Sequence, residues 1–228
     1  ENGICTIGGD YEPAPLKDDY YQISNAGNLL WFAKQVNSGN WYINAVLTTD
    51  IVVNEKVLNE DGTLVAGFED LRIWTPIGND SNQYRGTFEG DNHTISGLYF
   101  NDENTNNVGL FGGVYKGATI KNVGIIDSYF KGKHYVGGVC GYNYVGTITK
   151  SYNTGTVSGS ENVGGVCGRN GGTIKDSYNE STVSGSNYVG GVCGYNSSYN
   201  TIENSYNTGT VSGSENVGGV CGYNSNGS

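Results

Sequence analysis

The chain of 228 residues contains 38 Gly and 18 Tyr but only 3 Pro and no Met, and its formal net charge is −10. Glycine at this level without a collagen triplet is typical of dense turns or Gly-tolerant repeats, and it leaves few residues for an ordinary helical core. An acidic chain repels phosphate backbones and anionic lipids, and no run approaches the ~18 apolar residues of a membrane span, so we expect neither a nucleic-acid partner nor membrane insertion.

The charge is unevenly placed and divides the chain into two parts. Residues 1–107 carry 16 acidic and 5 basic side chains, whereas residues 108–228 carry 6 acidic and 7 basic side chains. Residues 1–10 lack the basic and apolar regions of a signal peptide. We expect residues 1–19, with the isolated Cys5, to be a flexible N-terminal segment of a mature fragment.

A single amphipathic helix is predicted within residues 20–41. Ser24 or Asn25 can cap its start, and Gly39 ends it. The apolar positions follow the helical spacing i, i+3, i+4 and i+7, at Leu29, Phe32, Ala33 and Val36. Such a helix can cover the open end of a stacked β-structure, so we interpret residues 20–41 as a cap.

Residues 42–107 are predicted to form irregular β-coils. Strand-like runs occur at 42–53, 71–77, 84–88 and 93–100, and residues 58–70 with their Asp61-Gly62 turn are expected to be a surface excursion.

Residues 108–228 contain the strongest pattern, a repeat of about 27 residues. The motif [YN]-V-G-G-V-C-G occurs at residues 135–141, 162–168, 188–194 and 216–222, and Gly-Thr-Ile, Ser-Tyr-Asn and Thr-Val-Ser-Gly recur between the copies. A diverged unit with Val-Gly-Leu-Phe-Gly-Gly begins at Val108. Each unit holds three short β-branched or aromatic runs, which predicts three strands per coil and a three-sided parallel β-helix.

Stacked coils place equivalent residues in ladders. The predicted inward ladders are Val136/Val163/Val189/Val217, Ile120/Ile148/Ile174/Ile202 and Val157/Val183/Val211. Tyr129, Tyr152, Tyr178 and Tyr206 are assigned to one packing ladder. The four repeat cysteines, Cys140, Cys167, Cys193 and Cys221, are expected to be free buried thiols, because in-register stacking points their Cβ atoms the same way and disfavours a disulfide.

Coil length varies only after the Cys-Gly pair, which predicts one column of turns at 142–145, 169–171 and 195–200. Tyr142, Arg169, Tyr195 and Tyr223 follow that pair and are expected to be exposed. A row of aromatic side chains at a solenoid edge is a candidate binding platform for sugar rings or a peptide, although such a row can also serve packing alone.

Two other groups of residues have side chains capable of chemistry. Arg85, Glu89, Asp91 and His93 lie within nine residues and could supply a carboxylate pair and a base, but the surrounding pattern favours a structural turn. The acidic loop at 101–107 offers oxygen ligands but lacks the spacing of a calcium loop. We therefore expect no catalytic residues, no metal site and no cofactor.

Much of the chain resembles a known repeat family. The sequences LLWFAKQVNSGN at 29–40, WTPIG at 74–78, GTFEGDNHTISGL at 86–98 and VGLFGGV at 108–114, together with the VGGVCG repeats, resemble the GLUG-motif regions of large secreted bacterial surface proteins. The resemblance implies a β-helix and a secreted or cell-surface location. Such regions occur in adhesin-like proteins and beside the catalytic parts of some secreted immunoglobulin A proteases.

The functional expectation is a non-catalytic structural or adhesive module, with an extracellular glycan or a host surface protein as partner beside further repeats or domains of the parent chain. Two alternatives stay open: an accessory domain of a larger secreted enzyme, such as a protease or polysaccharide-active enzyme, and an enzyme in its own right.

Overall fold

The computed structural model describes residues 11–225, and Cys5 lies outside them. These residues form a parallel β-solenoid with one α-helix near its start, which confirms the predicted fold class. Equivalent Val residues pair between neighbouring strands at sequence spacings of 27, 26 and 28, so each repeat makes one coil.

Five sheets run along the solenoid, and we name each after a recurrent residue. The Ile sheet has eight strands: Leu16–Lys17, Tyr20–Ile23, Asn44–Leu47, Thr87–Glu89, Thr119–Lys121, Thr147–Thr149, Thr173–Lys175 and Thr201–Glu203. The Tyr sheet has six: Ile51–Val52, Thr94–Ser96, Gly124–Ile126, Tyr152–Asn153, Tyr178–Asn179 and Tyr206–Asn207. The Ser sheet has five: Tyr99–Asn101, Tyr129–Lys131, Thr156–Ser158, Val183–Ser184 and Val211–Ser212.

The two remaining sheets contain the Gly-Gly-Val-Cys-Gly motif. The Val sheet consists of His134–Gly137, Glu161–Gly164, Asn187–Gly190 and Glu215–Gly218. The Cys sheet consists of Phe111–Val114, Cys140–Asn143, Cys167–Asn170, Cys193–Asn196 and Cys221–Asn224. In all five sheets neighbouring strands are parallel, except for Leu16–Lys17 and Tyr20–Ile23 of the Ile sheet, which are antiparallel.

A regular coil thus contains five short strands instead of the three runs seen in the sequence. The motif is divided by a bend at its second Gly and second Val, so it contributes one strand to the Val sheet and another to the Cys sheet. The Ser-Tyr-Asn stretch adds a strand of only two residues, which is too short to show as a hydrophobic run.

The three predicted apolar ladders are confirmed. Their members pair in register, and those in the inner coils are fully buried. Val217 pairs with Val189 but is 45% exposed, because no further coil covers it within residues 11–225.

The helix spans Ala26–Asn37 and packs on the first coils. The Asn25 side chain accepts a hydrogen bond from the Asn28 amide at 2.8 Å, which caps the N-terminus. Phe32 is fully buried with its ring centroid 5.9 Å from Tyr84 and 6.0 Å from Phe88. The core therefore begins with large aromatic side chains under the helix and continues as smaller Val, Ile and Cys side chains in the regular coils.

The predicted excursion at 58–70 folds back on the outside of the solenoid. It contains the 3-10 helix Phe68–Asp70 and forms a small cluster in which Leu64 and Phe68 pack near Tyr99. The Asp127 carboxylate fixes its start by accepting hydrogen bonds from the Val57 and Leu58 amides, at 3.1 and 2.8 Å.

One predicted ladder is wrong. Tyr129 pairs with Tyr99 and Thr156 in the Ser sheet, whereas Tyr152 pairs with Gly124 in the Tyr sheet. The diverged unit has five more residues between its Ile and its Ser-Tyr pair than the next unit, which moves Tyr129 to a different sheet. Tyr152, Tyr178 and Tyr206 do stack, with centroid distances of 4.8 and 5.0 Å and interplanar angles of 4° and 3°.

Asn side chains, buried in the inner coils and half-buried in the last described coil, form two polar ladders. The first is Asn143, Asn170, Asn196 and Asn224, in which each Nδ2 donates to the Oδ1 of the next coil at 2.8 to 3.2 Å. The second is Asn153, Asn179 and Asn207, at 3.0 and 2.8 Å. Because the amides of Asn143, Asn153, Asn170 and Asn179 also bond the backbone where their own coils turn, the ladders fix both the turn and the register.

The four repeat cysteines are free and lie in register in the Cys sheet. Burial raises the pKa of the Cys140 and Cys193 thiols well above the ordinary value. Cys221 in the last described coil is only partly buried.

We therefore expect a thiol reagent at pH 8 to modify Cys221 first and Cys140 and Cys193 far more slowly, since the reactive thiolate is scarce and shielded. All four should react in denaturant, as followed by peptide mass spectrometry. A disulfide between Cys140 and Cys167, or stoichiometric zinc, would contradict this account.

Candidate binding surface

Tyr142, Arg169, Tyr195 and Tyr223 occupy equivalent positions in successive strands of the Cys sheet, where each pairs with the next. They lie inside strands, so their predicted place in turns is wrong. The ends of these strands are held in register by Asn143, Asn170 and Asn196. The coils differ in length only in the segments that follow, at 144–146, 171–172 and 197–200. Tyr223 is 41% exposed, and the other three side chains are half-buried.

The column is the centre of a longer stack of rings and guanidinium groups. Tyr142 stacks on Tyr144 with centroids 3.7 Å apart and an interplanar angle of 20°. The Arg169 guanidinium carbon lies 5.0 Å from the Tyr142 ring centroid and 5.2 Å from that of Tyr195. Tyr195 stacks in turn on Tyr223 at 5.2 Å. Arg169 is therefore held between two aromatic rings.

The stack continues toward the helix end of the solenoid. Tyr144 lies 6.1 Å from Tyr115, whose ring centroid is 4.9 Å from the Arg85 guanidinium carbon. Arg85 in turn lies 5.1 Å from the Trp41 ring. Tyr42, Tyr135 and Tyr188 join the set through contacts with Arg85, Tyr142 and Tyr195, at 5.7, 5.2 and 5.5 Å. We call the whole set the stripe, and its members are Trp41, Tyr42, Arg85, Tyr115, Tyr135, Tyr142, Tyr144, Arg169, Tyr188, Tyr195 and Tyr223.

The contacts within the stripe decide which groups a ligand can reach. Since most ring faces pack on a neighbouring ring or guanidinium, the accessible parts are ring edges, phenol hydroxyls and guanidinium N–H groups. The Arg85 Nη1 donates to the Tyr42 hydroxyl at 3.1 Å, and the Tyr144 hydroxyl donates to Asp80 at 3.1 Å. The stripe thus offers hydrogen-bonding groups together with its aromatic rings.

Several stripe residues were missed by sequence reasoning. Tyr135 and Tyr188 occupy the first position of the repeat motif, where their alternation with Asn could have been noticed. Trp41, Arg85 and Tyr115 belong to irregular coils, so no sequence period connects them with Arg169.

The four residues considered for catalysis do not form one site. The Glu89 carboxylate contacts Lys121 Nζ at 2.9 Å and accepts hydrogen bonds from the Asp91 amide and the Asn122 side chain, both at 2.8 Å. His93 Nδ1 lies 3.4 Å from Asp50, and Arg85 is in the stripe. Asp91 is exposed in the turn, with a positive φ of 48°. Glu89 therefore has the partners of a structural carboxylate.

The pH dependence of stability tests this structural role of Glu89. Burial alone raises the pKa of Glu89, but hydrogen bonds from Lys121, Asn122 and Asp91 outweigh it and hold the pKa below the ordinary 4.5. A lowered pKa stabilises the fold fully above the unfolded-state pKa, and that stabilisation is lost as the pH falls through the folded-state pKa.

We expect Glu89→Gln to lower the free energy of unfolding by about 1 kcal/mol at pH 7, and the difference to disappear toward pH 3. Urea denaturation at several pH values measures it. Glu103→Gln is the control, since Glu103 is 72% exposed in its pair with Lys131. A pH-independent loss for Glu89→Gln would contradict the assignment.

The loop at 101–107 has the hydrogen bonds of a turn. Asp102 accepts from the Asn104 amide at 3.0 Å and from the Thr105 hydroxyl at 2.6 Å. No group of three or more His, Cys, Asp or Glu suited to a metal ion occurs within residues 11–225.

Comparison with known sequences identifies the repeat. The model of the GLUG motif matches three consecutive segments, residues 132–158, 159–184 and 185–212. Residues 132–212 are a run of GLUG-motif repeats. In the solenoid each repeat makes one coil, and the middle one carries Arg169.

Two relatives extend the comparison. A protein of Evansella cellulosilytica named "Putative Gly-rich membrane protein" is 34% identical over 56 residues, which cover 25% of this chain and 6% of that protein. The crystal structure of a "putative immunoglobulin A1 protease" from Bacteroides ovatus matches with a TM-score of 0.69 and 23% identity, covering 96% of this chain and 66% of that one. The second likeness shows the fold. Within the described part of this chain, no helix has the length and apolar character to cross a membrane.

Proposed function

We propose that this chain is a non-catalytic adhesive repeat module of a secreted or cell-surface protein, and that it binds an extracellular glycan through the stripe. The observation that carries the proposal is the continuity of the stripe. Its rings and guanidinium groups come from successive coils and form one surface along the solenoid. An extended polymer can contact such a surface at several coils at once.

The placement of acids and bases supports binding without catalysis. A β-helical hydrolase or lyase needs acids and bases from neighbouring coils that converge on one groove. In the GLUG repeats, Glu161 lies 3.6 Å from His134 and Glu203 lies 3.4 Å from Lys175, so these carboxylates face basic partners.

Matched variants in neighbouring coils test the proposal. Tyr195 lies in the stripe, whereas Tyr178 lies in the Tyr sheet of the preceding coil and also stacks on its neighbours. On an array of extracellular polysaccharides, we expect Tyr195→Ser to weaken binding about tenfold and Tyr178→Ser to leave it unchanged. Equal effects of the two substitutions, or no glycan binding by the unaltered protein, would contradict the proposal. If the protein binds host proteins and no glycan, the partner in the proposal is a protein and not a glycan.

An accessory domain in a larger secreted enzyme is the second candidate, favoured by the fold shared with the Bacteroides ovatus protein. Both candidates predict binding through the stripe. They differ in the rest of the parent protein, because only an accessory domain requires a catalytic domain in the same protein. Removing this module should then lower the activity of that catalytic domain on the bound polymer.

A further inference from the structure

The stripe contains two guanidinium groups that have no acidic partner among residues 11–225. Within residues 11–225, no carboxylate oxygen lies within 4.0 Å of a guanidinium nitrogen of Arg85 or Arg169, and the ion pairs of this part of the chain use Lys and His. This holds although the whole chain has 22 acidic and 12 basic side chains. Asp80 is the acidic residue at the edge of the stripe, and its Oδ1 accepts hydrogen bonds from Tyr144 and Asn107.

Arg169 is positioned to bind an anion. The Tyr142 and Tyr195 rings hold the two faces of its guanidinium at 5.0 and 5.2 Å, and its Nε donates to the Ser197 hydroxyl at 3.4 Å. The Arg169 side chain is half-buried, and its Nη groups make no hydrogen bond within residues 11–225. A planar guanidinium fixed in this way loses little freedom when two parallel N–H groups bind a carboxylate or a sulfate.

Arg85 provides a second position of the same kind. Trp41 and Tyr115 lie on either side of its guanidinium, and its buried Nε has no hydrogen-bond partner in the described part of the chain. Strand pairing runs from Tyr84 to Val114, then to Asn143 and to Asn170, so Arg85 and Arg169 are three coils apart. At ~4.8 Å per coil, the two guanidinium groups are separated by about 15 Å along the solenoid.

We propose that the stripe selects glycans that carry carboxylate or sulfate groups, with Arg169 and Arg85 as two anion-binding positions. The inference rests on the proposed glycan binding and adds the charge class of the ligand. The exposed ring edges and hydroxyls contact the sugar hydroxyls of any glycan, whereas the two arginines raise the affinity for acidic glycans.

Matched polymers and a consensus substitution test the selection. Polygalacturonate is compared with its methyl ester, and dextran sulfate with dextran, since each pair shares a backbone and differs in charge. Arg169→Tyr is the central variant, because Tyr occupies the equivalent position in both neighbouring coils and the stacking is preserved. Arg169→Lys keeps the charge but loses the planar fork.

For the unaltered protein we expect binding to at least one acidic polymer at least tenfold tighter than to its neutral partner, and weaker in 0.5 M salt than in 0.05 M salt. Which acidic polymer is bound distinguishes carboxylate from sulfate. Arg169→Tyr should abolish most of this preference. Arg169→Lys should retain only part of the preference, and Arg85→Gln should reduce it less than Arg169→Tyr.

The outcomes separate this inference from the proposed function. Equal affinity for acidic and neutral polymers, or an unchanged preference in Arg169→Tyr, would overturn the anion selection while glycan binding stands. Binding that Tyr195→Ser does not weaken would overturn the stripe as the binding surface. If the protein binds none of the four polymers and no glycan on the wider array, both the anion selection and the proposed glycan binding are overturned.

Discussion

Gly165→Ala is expected to lower the free energy of unfolding by about 3 kcal/mol or more, the range of severe overpacking in a close-packed interior. Gly165 lies at the bend between the Val and Cys sheets. A Cβ atom added there would overlap the Asn179 side chain and the carbonyl oxygen of Gly191 in the next coil. Neither group can move without breaking the second Asn ladder or the backbone pairing between coils, so the strain cannot relax locally.

The repeat provides its own control for this substitution. Gly219 is the equivalent residue in the last described coil, and a Cβ atom there meets nothing within 4 Å. Gly219→Ala should therefore change stability by less than about 0.5 kcal/mol. Thermal and urea denaturation of the two variants measure the difference. Equal destabilisation by both would mean that the local backbone, and not coil stacking, requires Gly at this position.

Asn170→Ala is expected to destabilise the fold by about 3 kcal/mol, because it removes the centre of a buried ladder. Asn170 accepts from the Asn143 side chain at 2.8 Å and from the Gly172 amide at 3.2 Å. It donates to Asn196 at 2.8 Å and to the Gly172 carbonyl at 3.1 Å. Truncation removes a hydrogen-bond partner from groups in three coils.

Asn101→Ala is the matched control for Asn170→Ala. Asn101 is exposed, and its side chain donates to the Tyr99 hydroxyl at 3.3 Å. We expect a change below about 0.5 kcal/mol for it, measured by urea denaturation. A loss below about 1 kcal/mol for Asn170→Ala would show that water replaces the ladder and that Asn serves only the turn.

The ladders of the regular coils could be predicted because stacking imposes the same side chain at the same place in each coil. Val163 and Ile174 recur at a nearly constant interval, and that interval alone fixes their partners. The prediction for Tyr129 is wrong because its Ser-Tyr motif recurs in the other units, whereas the number of residues between Ile120 and that motif differs from theirs.

The stripe was only partly predictable from the sequence. Its central column follows the repeat, and Tyr142, Arg169, Tyr195 and Tyr223 were recognised as one row. The stacking of rings and guanidinium groups on one another could not be predicted from the sequence. It depends on the contact of Tyr144 with Tyr142 and on side-chain directions, which the spacing of the repeat does not determine. The five-strand coil was missed for a related reason, because bends at Gly divide one motif into two strands.

Binding and turnover of one polymer, measured together, test most directly the claim that this chain binds without catalysis. The protein is incubated with the polysaccharide it binds most tightly, and bound protein, polymer length, reducing ends and unsaturated sugars are followed. The account predicts saturable binding that Tyr195→Ser weakens, with polymer length unchanged and no sugar fragments released. Release of fragments that Glu89→Gln or His93→Ala abolishes, while the fold stays intact, would contradict it.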